Sequence, residues 1–373
     1  MRAGRRWVLL VAAAALALIT TVAVRVITPD EQRITVMTRN LYLGGDITRP
    51  VRAAHGRTGE DAVQALGQAN HELRQIVDRT DFPTRSRLLA AEIASARPDL
   101  IALQEVALWR HGPIELAQIG RPNATDVDYD FLATLLADLH GHGVGYDVVQ
   151  QQQWSDVEAP AFPRDPSDDE ARDVRLTLQD VILRRQDSPA RVTGRGRAEF
   201  RQRLDIDLGG ATFTFQHGFA WSDVEIGQHR FRFLATHLES QSADVAQAQA
   251  AELLAGPAAE ETTTVIACDC NAAPGSPAYA LLTDRDRFAD PWLEAPGDPG
   301  QGFTAVLGEL VNDSTAAGLD RRIDLVLARP ASGATATPVR VGLTGNEPSA
   351  RDPGSGLWPS DHAGVVVELE IGG

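Results

Sequence analysis

Lysine is absent from all 373 residues, so the 35 basic side chains are arginines. Three enzyme classes fall away with it. A P-loop needs its lysine against the phosphates, and pyridoxal-phosphate enzymes and Schiff-base aldolases need a lysine amine as the point of attachment. Cysteine is nearly missing too, with only Cys268 and Cys270. No disulfide framework and no CxxC zinc or redox motif can come from that pair. Along an extended strand their Cα atoms would stand about 6.5–7 Å apart, beyond an unstrained disulfide, so both are expected to pack as small hydrophobes. The absence of GxSxG and HExxH removes serine-hydrolase and zinc-protease readings. A net charge of −16 argues against coating nucleic acid by bulk electrostatics, though an enzyme can still engage one phosphate at a time.

With 43% hydrophobic residues, the chain can bury a substantial core. At its start, Arg2, Arg5 and Arg6 precede an uncharged stretch from Trp7 to Val24, closed by Arg25. A run of about 18 residues is just long enough to span a bilayer. Arginines on the leading side place everything after it outside the cytoplasm. Residues 1–32 therefore read as a signal anchor and short tether, with a cleaved signal peptide as the alternative. The protein is expected to be exported, either membrane-anchored and facing outside or secreted.

No repeat and no interdomain linker follows, so 33–373 reads as one domain. ITVMTRN (34–40) predicts a strand entering a Gly-rich loop, and 60–80 and 85–96 carry helical periodicity. DLIALQEV (99–106) is a continuous apolar run ending in Glu105, the pattern of a buried strand. A helix at about 129–140 and a strand near 145–150 come next, then an acidic surface loop over 155–173 and a strand at 175–185. Residues 211–238 alternate as a hairpin whose second strand ends at His237. A capped helix (242–256), the strand TVIACD, a helix near 276–284, and strands at 322–329 and 363–371 complete the chain.

The strand ends collect polar residues: Asn40, Glu105, His237, Asp269, Asn271, Asp324 and the pair Asp361-His362. Asp269 and Asn271, two residues apart, would project from one face. Each of these has an ordinary explanation as a turn or cap residue, but all of them lie at one end or the other of an apolar strand. These residue types suit metal-assisted attack of water on phosphorus. A hard divalent ion takes oxygen ligands and keeps several waters, and an imidazole near neutrality moves protons.

The order TRNLY, ALQEV, ATHLES, ACDCNAAP, RRIDLVL, SDHAG resembles the endonuclease/exonuclease/phosphatase superfamily, whose members include DNase I-like nucleases and bacterial sphingomyelinases. The resemblance implies a four-layer α/β/β/α sandwich of two stacked mixed sheets flanked by helices. It implies that Asn40, Glu105 and Asp361 bind Mg²⁺ (or Mn²⁺ or Ca²⁺) and that Asp269 positions or deprotonates the attacking water. Asn271 would grip the phosphate, His362 and Asp324 would form the acid/base dyad, and His237 would stabilise the phosphate or protonate the leaving group. The residue before the Asp-x-Asn pair is Cys268 where the family usually has glycine. Asp180 is the candidate for an acidic residue that orients the first histidine, in a register that sequence leaves open. Gly302-Phe303-Thr304 also resembles a family stretch, structural or substrate-lining.

The implied activity is a phosphodiesterase of nuclease type, with phospholipase C/sphingomyelinase-like or phosphomonoesterase activity as the alternative and a catalytically silent phospho-ligand binder as a third reading. Candidate partners are nucleic acid, a phospholipid head group or a small phosphoester, and the membrane through the N-terminal helix; no obligate protein partner is expected. Seven arginines in 184–203 suit a polyanion or an anionic head group. The acidic stretch 155–173 would repel a long polyanion if it bordered the cleft.

Overall fold

The computed structural model describes residues 31–119, 121–207, 212–259, 261–284 and 287–372. The expected N-terminal anchor lies almost wholly outside them. No helix among the described residues is long and apolar enough to cross a membrane.

The apolar run after Glu31 forms β1 (Gln32–Asn40). Three helices follow, α1 (Thr48–Ala54), α2 (Gly59–Arg79) and α3 (Phe82–Ala96). Asp81 caps α3, its side chain accepting from Thr84 N, and Pro83 sits in the first turn. Next come β2 (Leu100–Gly112), β3 (Asp126–Asp130), α4 (Phe131–Gly141), β4 (Tyr146–Ala161) and β5 (Arg172–Arg185). The second half holds β6 (Arg191–Glu199), β7 (Leu204–Asp207), β8 (Thr212–Phe215), β9 (Gly218–Ile226) and β10 (His229–His237). It continues with α5 (Ala243–Ala255), β11 (Thr263–Asp269), α6 (Pro277–Thr283) and α7 (Pro291–Glu294). The chain closes with β12 (Asp324–Arg329), β13 (Thr335–Thr344) and β14 (Gly364–Gly372).

One mixed sheet runs β13-β14-β1-β2-β5-β4 with β3 beside β2, and a second runs β12-β11-β10-β9-β6. Their apolar faces share a core in which Ile34, Val36, Leu100 and Ile182 meet Phe231, Phe233, Val265 and Val326. The outer face of the first sheet packs against the helices through Leu73, Leu89, Ile93, Leu135 and Leu139. That of the second buries Leu253, Ala250 and Leu282 of α5 and α6. Strands covered on both faces need no polar alternation, which is why β2 and β11 read as continuous apolar runs.

Three sequence expectations need correction. Residues 155–161 are not a loop but the second half of β4, because their acids find partners: Arg175 donates to both Asp156 oxygens at 2.8 and 2.6 Å, and Glu158 accepts from the N–H groups of Asn123 and Ala124. Only the stretch after Ala161 leaves the sheet. The alternating region 211–238 is not one hairpin. TFTF pairs with β7, the strand breaks at Gln216-His217, and only β9 and β10 form the hairpin.

Cys268 and Cys270 are joined in a disulfide with Cα atoms 5.1 Å apart. The expectation of two free thiols assumed that the strand continues. It ends at Asp269, where the chain leaves the extended conformation, and the two flanking Cα atoms come within disulfide reach.

Candidate active site

The two sheets present facing rows of polar residues along one edge. In the second sheet the ladder aligns His237 with Asp269 and Asp269 with Asp324 on neighbouring strands. In the first, Asp361 and His362 precede β14, Asn40 ends β1, Glu105 lies in β2, Asp180 in β5 and Trp154 in β4. The rows are joined across the gap. His362 Nδ1 lies 2.8 Å from Asp324 Oδ2, and Asn40 Nδ2 donates to Asp269 Oδ2 at 3.0 Å.

Local backbone aims each group. β2 loses register with β5 between Leu103 and Val106, and Glu105 sits in that bulge at φ 54°. A bulge re-aims a side chain that the pleat would direct elsewhere, at a cost of about 1–3 kcal/mol for the left-handed residue. Glu105 Oε2 accepts from Leu43 N at 2.8 Å. Asn40 accepts from Tyr42 N and donates to Asp269; since an N–H can only donate and a carboxylate only accept, its amide orientation is fixed. Asp269 Oδ1 accepts from Asn271 N at 3.1 Å, and the Asn271 amide donates to Leu238 O. Thr304 Oγ1 accepts from the N–H groups of Ile323 and Asp324, which gives the Gly-Phe-Thr stretch a structural role at the start of β12.

A cavity of about 310 Å³ opens between the rows, lined among others by Glu105, His237, Asp269, Asn271, Asp361 and His362. Of the eight residues expected from sequence, these six face one space, whereas Asn40 and Asp324 stand behind the wall and bond to residues that do. No residue from 155–173 lines the cavity.

The site is crowded with negative charge. Burial, together with the Glu105 carboxylate, pushes the Asp361 carboxyl up to about 7. Burial likewise carries Asp180 to about 7, against the pull of His237. Burial opposes charge on His362, but Asp324, Asp361 and Asp269 outweigh it and hold the imidazolium well above its ordinary range. His237 is raised for the same reason: burial is overcome by Asp269, 3.5 Å from its Nε2, and by Asp180 and Glu105.

Ligand atoms of Asp269, Asp324 and His362 lie within 4.8 Å of one another, a set with the composition to hold a metal ion. A proton already joins two of them, since a ring nitrogen 2.8 Å from a carboxylate donates to it. Glu105 and Asp361 present oxygen donors to the cavity and repel each other. A hard divalent cation fits that donor set and would relieve the repulsion.

The endonuclease/exonuclease/phosphatase family profile matches residues 66–362, most of the chain. The protein belongs to this family. Its members are hydrolases acting on phosphoesters, a chemistry consistent with paired carboxylates and imidazoles on one cavity. No curated protein matches the sequence.

Among solved structures, an endonuclease/exonuclease/phosphatase family protein from Bacteroides thetaiotaomicron superposes with TM-score 0.54 at 14% identity, covering 91% of this chain and 98% of its own. A mannosyl-6-phosphatase from Bacteroides thetaiotaomicron VPI-5482 gives 0.52 at 14%, covering 90% and 99%. D. rerio TDP2 complexed with a single strand DNA product gives 0.50 at 15%, covering 91% and 99%. At these identities the likeness is one of fold.

Sequence reading missed several residues that this family member uses to build the site. Arg85, fully buried on α3, donates to the carbonyls of Thr80, Leu41, Tyr42 and Pro359 at 2.7–3.1 Å. It ties the loop leaving β1 to the loop entering β14. Arg39 donates to the carbonyls of His362 and Asn40 and pairs with Glu92 at 3.2 Å. His217 and Trp154 also line the cavity. The only signal for Arg85 was an arginine on a helical face that is otherwise apolar.

Proposed function

We propose that the chain is a divalent-metal-dependent phosphoester hydrolase that activates water against phosphorus. The reading is carried by one observation: Glu105, Asp361, Asp269, His237 and His362 line a single cavity although they lie in separate parts of the chain. Glu105 and Asp361 would hold Mg²⁺ or Mn²⁺, which supplies a Lewis acid for the phosphoryl oxygens.

The residue roles follow from the hydrogen bonds. Asn40 and the Asn271 N–H fix both oxygens of Asp269, which orients the attacking water and accepts its proton. Asp324 holds the Nδ1 proton of His362, directing the opposite ring nitrogen to move a proton at the ester. His237 and the second N–H of the Asn271 amide donate to non-bridging oxygens, where charge must be stabilised in the transition state.

For the substrate, a small or head-group ester is favoured over a long polynucleotide. Of the seven arginines of 184–203 that suggested a polyanion track, six are engaged: Arg184 bonds Ala190 O, and Arg185, Arg191 and Arg203 pair with Asp99, Glu225 and Asp205. Arg195 and Arg197 donate to the Val149 and Gln151 carbonyls, tying β6 to β4. A nuclease-type diesterase is the second reading, since the solved neighbour TDP2 was captured with a DNA product. The positively flanked N-terminal run supports export, to a membrane-anchored or secreted state, and the disulfide is of the kind that persists in oxidising compartments.

The test is a parallel screen of the soluble portion with Mg²⁺ or Mn²⁺ on plasmid DNA, RNA, sphingomyelin and inositol phosphates. Turnover of a small ester or head group supports the first reading and efficient cleavage of DNA or RNA the second. No turnover of any, in a folded protein with metal present, contradicts both.

A further inference from the structure

The polar row on the second sheet does not stop at His237. One strand further from Asp324, the break between β8 and β9 places His217 just before Gly218 on the same sheet edge. At about 4.8 Å per strand, His217 stands roughly 14 Å from the Asp324 end of the row. It too has a partner across the gap: its ring stacks on Trp154 of β4, centroids 4.7 Å apart. Gly218, the first residue of β9, has no room for a side chain, because a Cβ there would meet the Ala198 carbonyl at 2.6 Å.

The cavity thus has two ends. His362, backed by Asp324, closes one, and Trp154 and His217 close the other; Phe215, Ser240 and Gln241, from the segments that flank β9 and β10, also line the cavity. Among the described residues no arginine lines the second end, and its nearest cation is His237, whose ring centroid lies 5.0 Å from that of His217. Arg321, the one arginine that lines the cavity among the described residues, lies near the start of β12 at the opposite end. His217 itself is neutral at physiological pH, because burial and then the neighbouring His237 push it well below its ordinary range. Glu239 lies 3.6 Å from His217 Nε2, on the approach to α5.

We infer that the Trp154–His217 end is the subsite for the uncharged, hydroxyl-bearing group esterified to the phosphate, and that His217 is its specificity-determining hydrogen-bond partner. The inference rests on the phosphoesterase reading above. His237 is already committed to the reacting phosphate, so a second phosphate or a phosphodiester backbone would need a further cation at this end, and none is offered among the described residues. A hydroxyl needs a neutral donor or acceptor and an apolar ring surface, and His217, Gln241, Ser240 and Trp154 provide these.

The experiment measures competition against bis(p-nitrophenyl) phosphate hydrolysis by glycerol 1-phosphate, inorganic phosphate and a thymidine dinucleotide, in the full protein with Mn²⁺. Wild type is expected to bind glycerol 1-phosphate tighter than inorganic phosphate. His217→Phe, which keeps a ring against Trp154 but removes the nitrogens, is expected to lose that preference by roughly 2–10-fold, the worth of one neutral hydrogen bond. Gln241→Ala, at an exposed wall position, should shift the ratio the same way even if His217→Phe fails to fold. An unchanged ratio in both variants, or tightest competition by the dinucleotide, overturns the inference while leaving the phosphoesterase reading intact. Failure of wild type to hydrolyse the reporter diester with metal present overturns the reading beneath it.

Discussion

Asp269 is held on both oxygens, by the Asn40 amide and by the Asn271 N–H, and is approached by His237 and His362. A carboxylate fixed this way pays little reorganisation when it orients water, so Asn40 matters although it does not line the cavity, and Asp324 matters through its bond to His362. Asp324→Asn is expected to lower kcat for bis(p-nitrophenyl) phosphate by about 10²–10⁴ with little change in KM, the range seen for acid–base groups. An unaltered kcat in the folded variant would contradict the dyad.

Asp180 gives a second residue-level expectation, with a definite sign. Its folded pKa is raised from 3.8 to about 7, so the native state binds more protons than the unfolded chain between those values, and Asp180 costs stability as pH rises through that window. Urea denaturation in EDTA should therefore find Asp180→Asn gaining on wild type from about pH 4 to 7, by up to roughly 4 kcal/mol. A constant gap across that range would show that Asp180 is not buried as described.

At the scale of elements, the loops at the site are clamped from behind by Arg85 on α3. Four carbonyls depend on its guanidinium. Arg85→Met should cost on the order of 3–5 kcal/mol in chemical denaturation, since it leaves buried acceptors unpaired. Arg49→Ala, which breaks a half-exposed pair with Glu309, should cost about 1 kcal/mol or less. Equal losses would mean that Arg85 is no clamp.

The turn after β11 carries its own test. Alkylation of the denatured, unreduced protein should label no cysteine, and reduction should expose both. Two reactive thiols before reduction would contradict the disulfide.

Elements were legible where burial writes itself into sequence. The runs ITVMTRN and DLIALQEV became β1 and β2, and Ser242 caps α5 through Val245 N as its spacing suggested. Hidden were features decided across strands. Arg175 turns an acidic stretch into β4, and a break at Gln216-His217 puts an unforeseen imidazole on the cavity. Neither the cross-strand partner nor the point where a strand stops is encoded within a few residues of the place it affects.

For the whole molecule, two mixed sheets packed face to face and flanked by helices bring distant segments to one edge. Family membership and the convergence of six of the eight expected residues were both readable, because acidic, amide and imidazole groups stood at or near the ends of apolar strands. Which of them face the cavity and which stand behind it depends on register and on the Glu105 bulge, and these exist only in the folded chain.

The most direct test is hydrolysis of bis(p-nitrophenyl) phosphate by the folded protein, with EDTA and then with Mg²⁺ or Mn²⁺ restored, alongside Glu105→Ala and His362→Ala. The expected result is activity that EDTA abolishes, metal returns, and both variants lack. Normal turnover in EDTA, or by either well-folded variant, would contradict a metal-assisted site built from the two sheet edges.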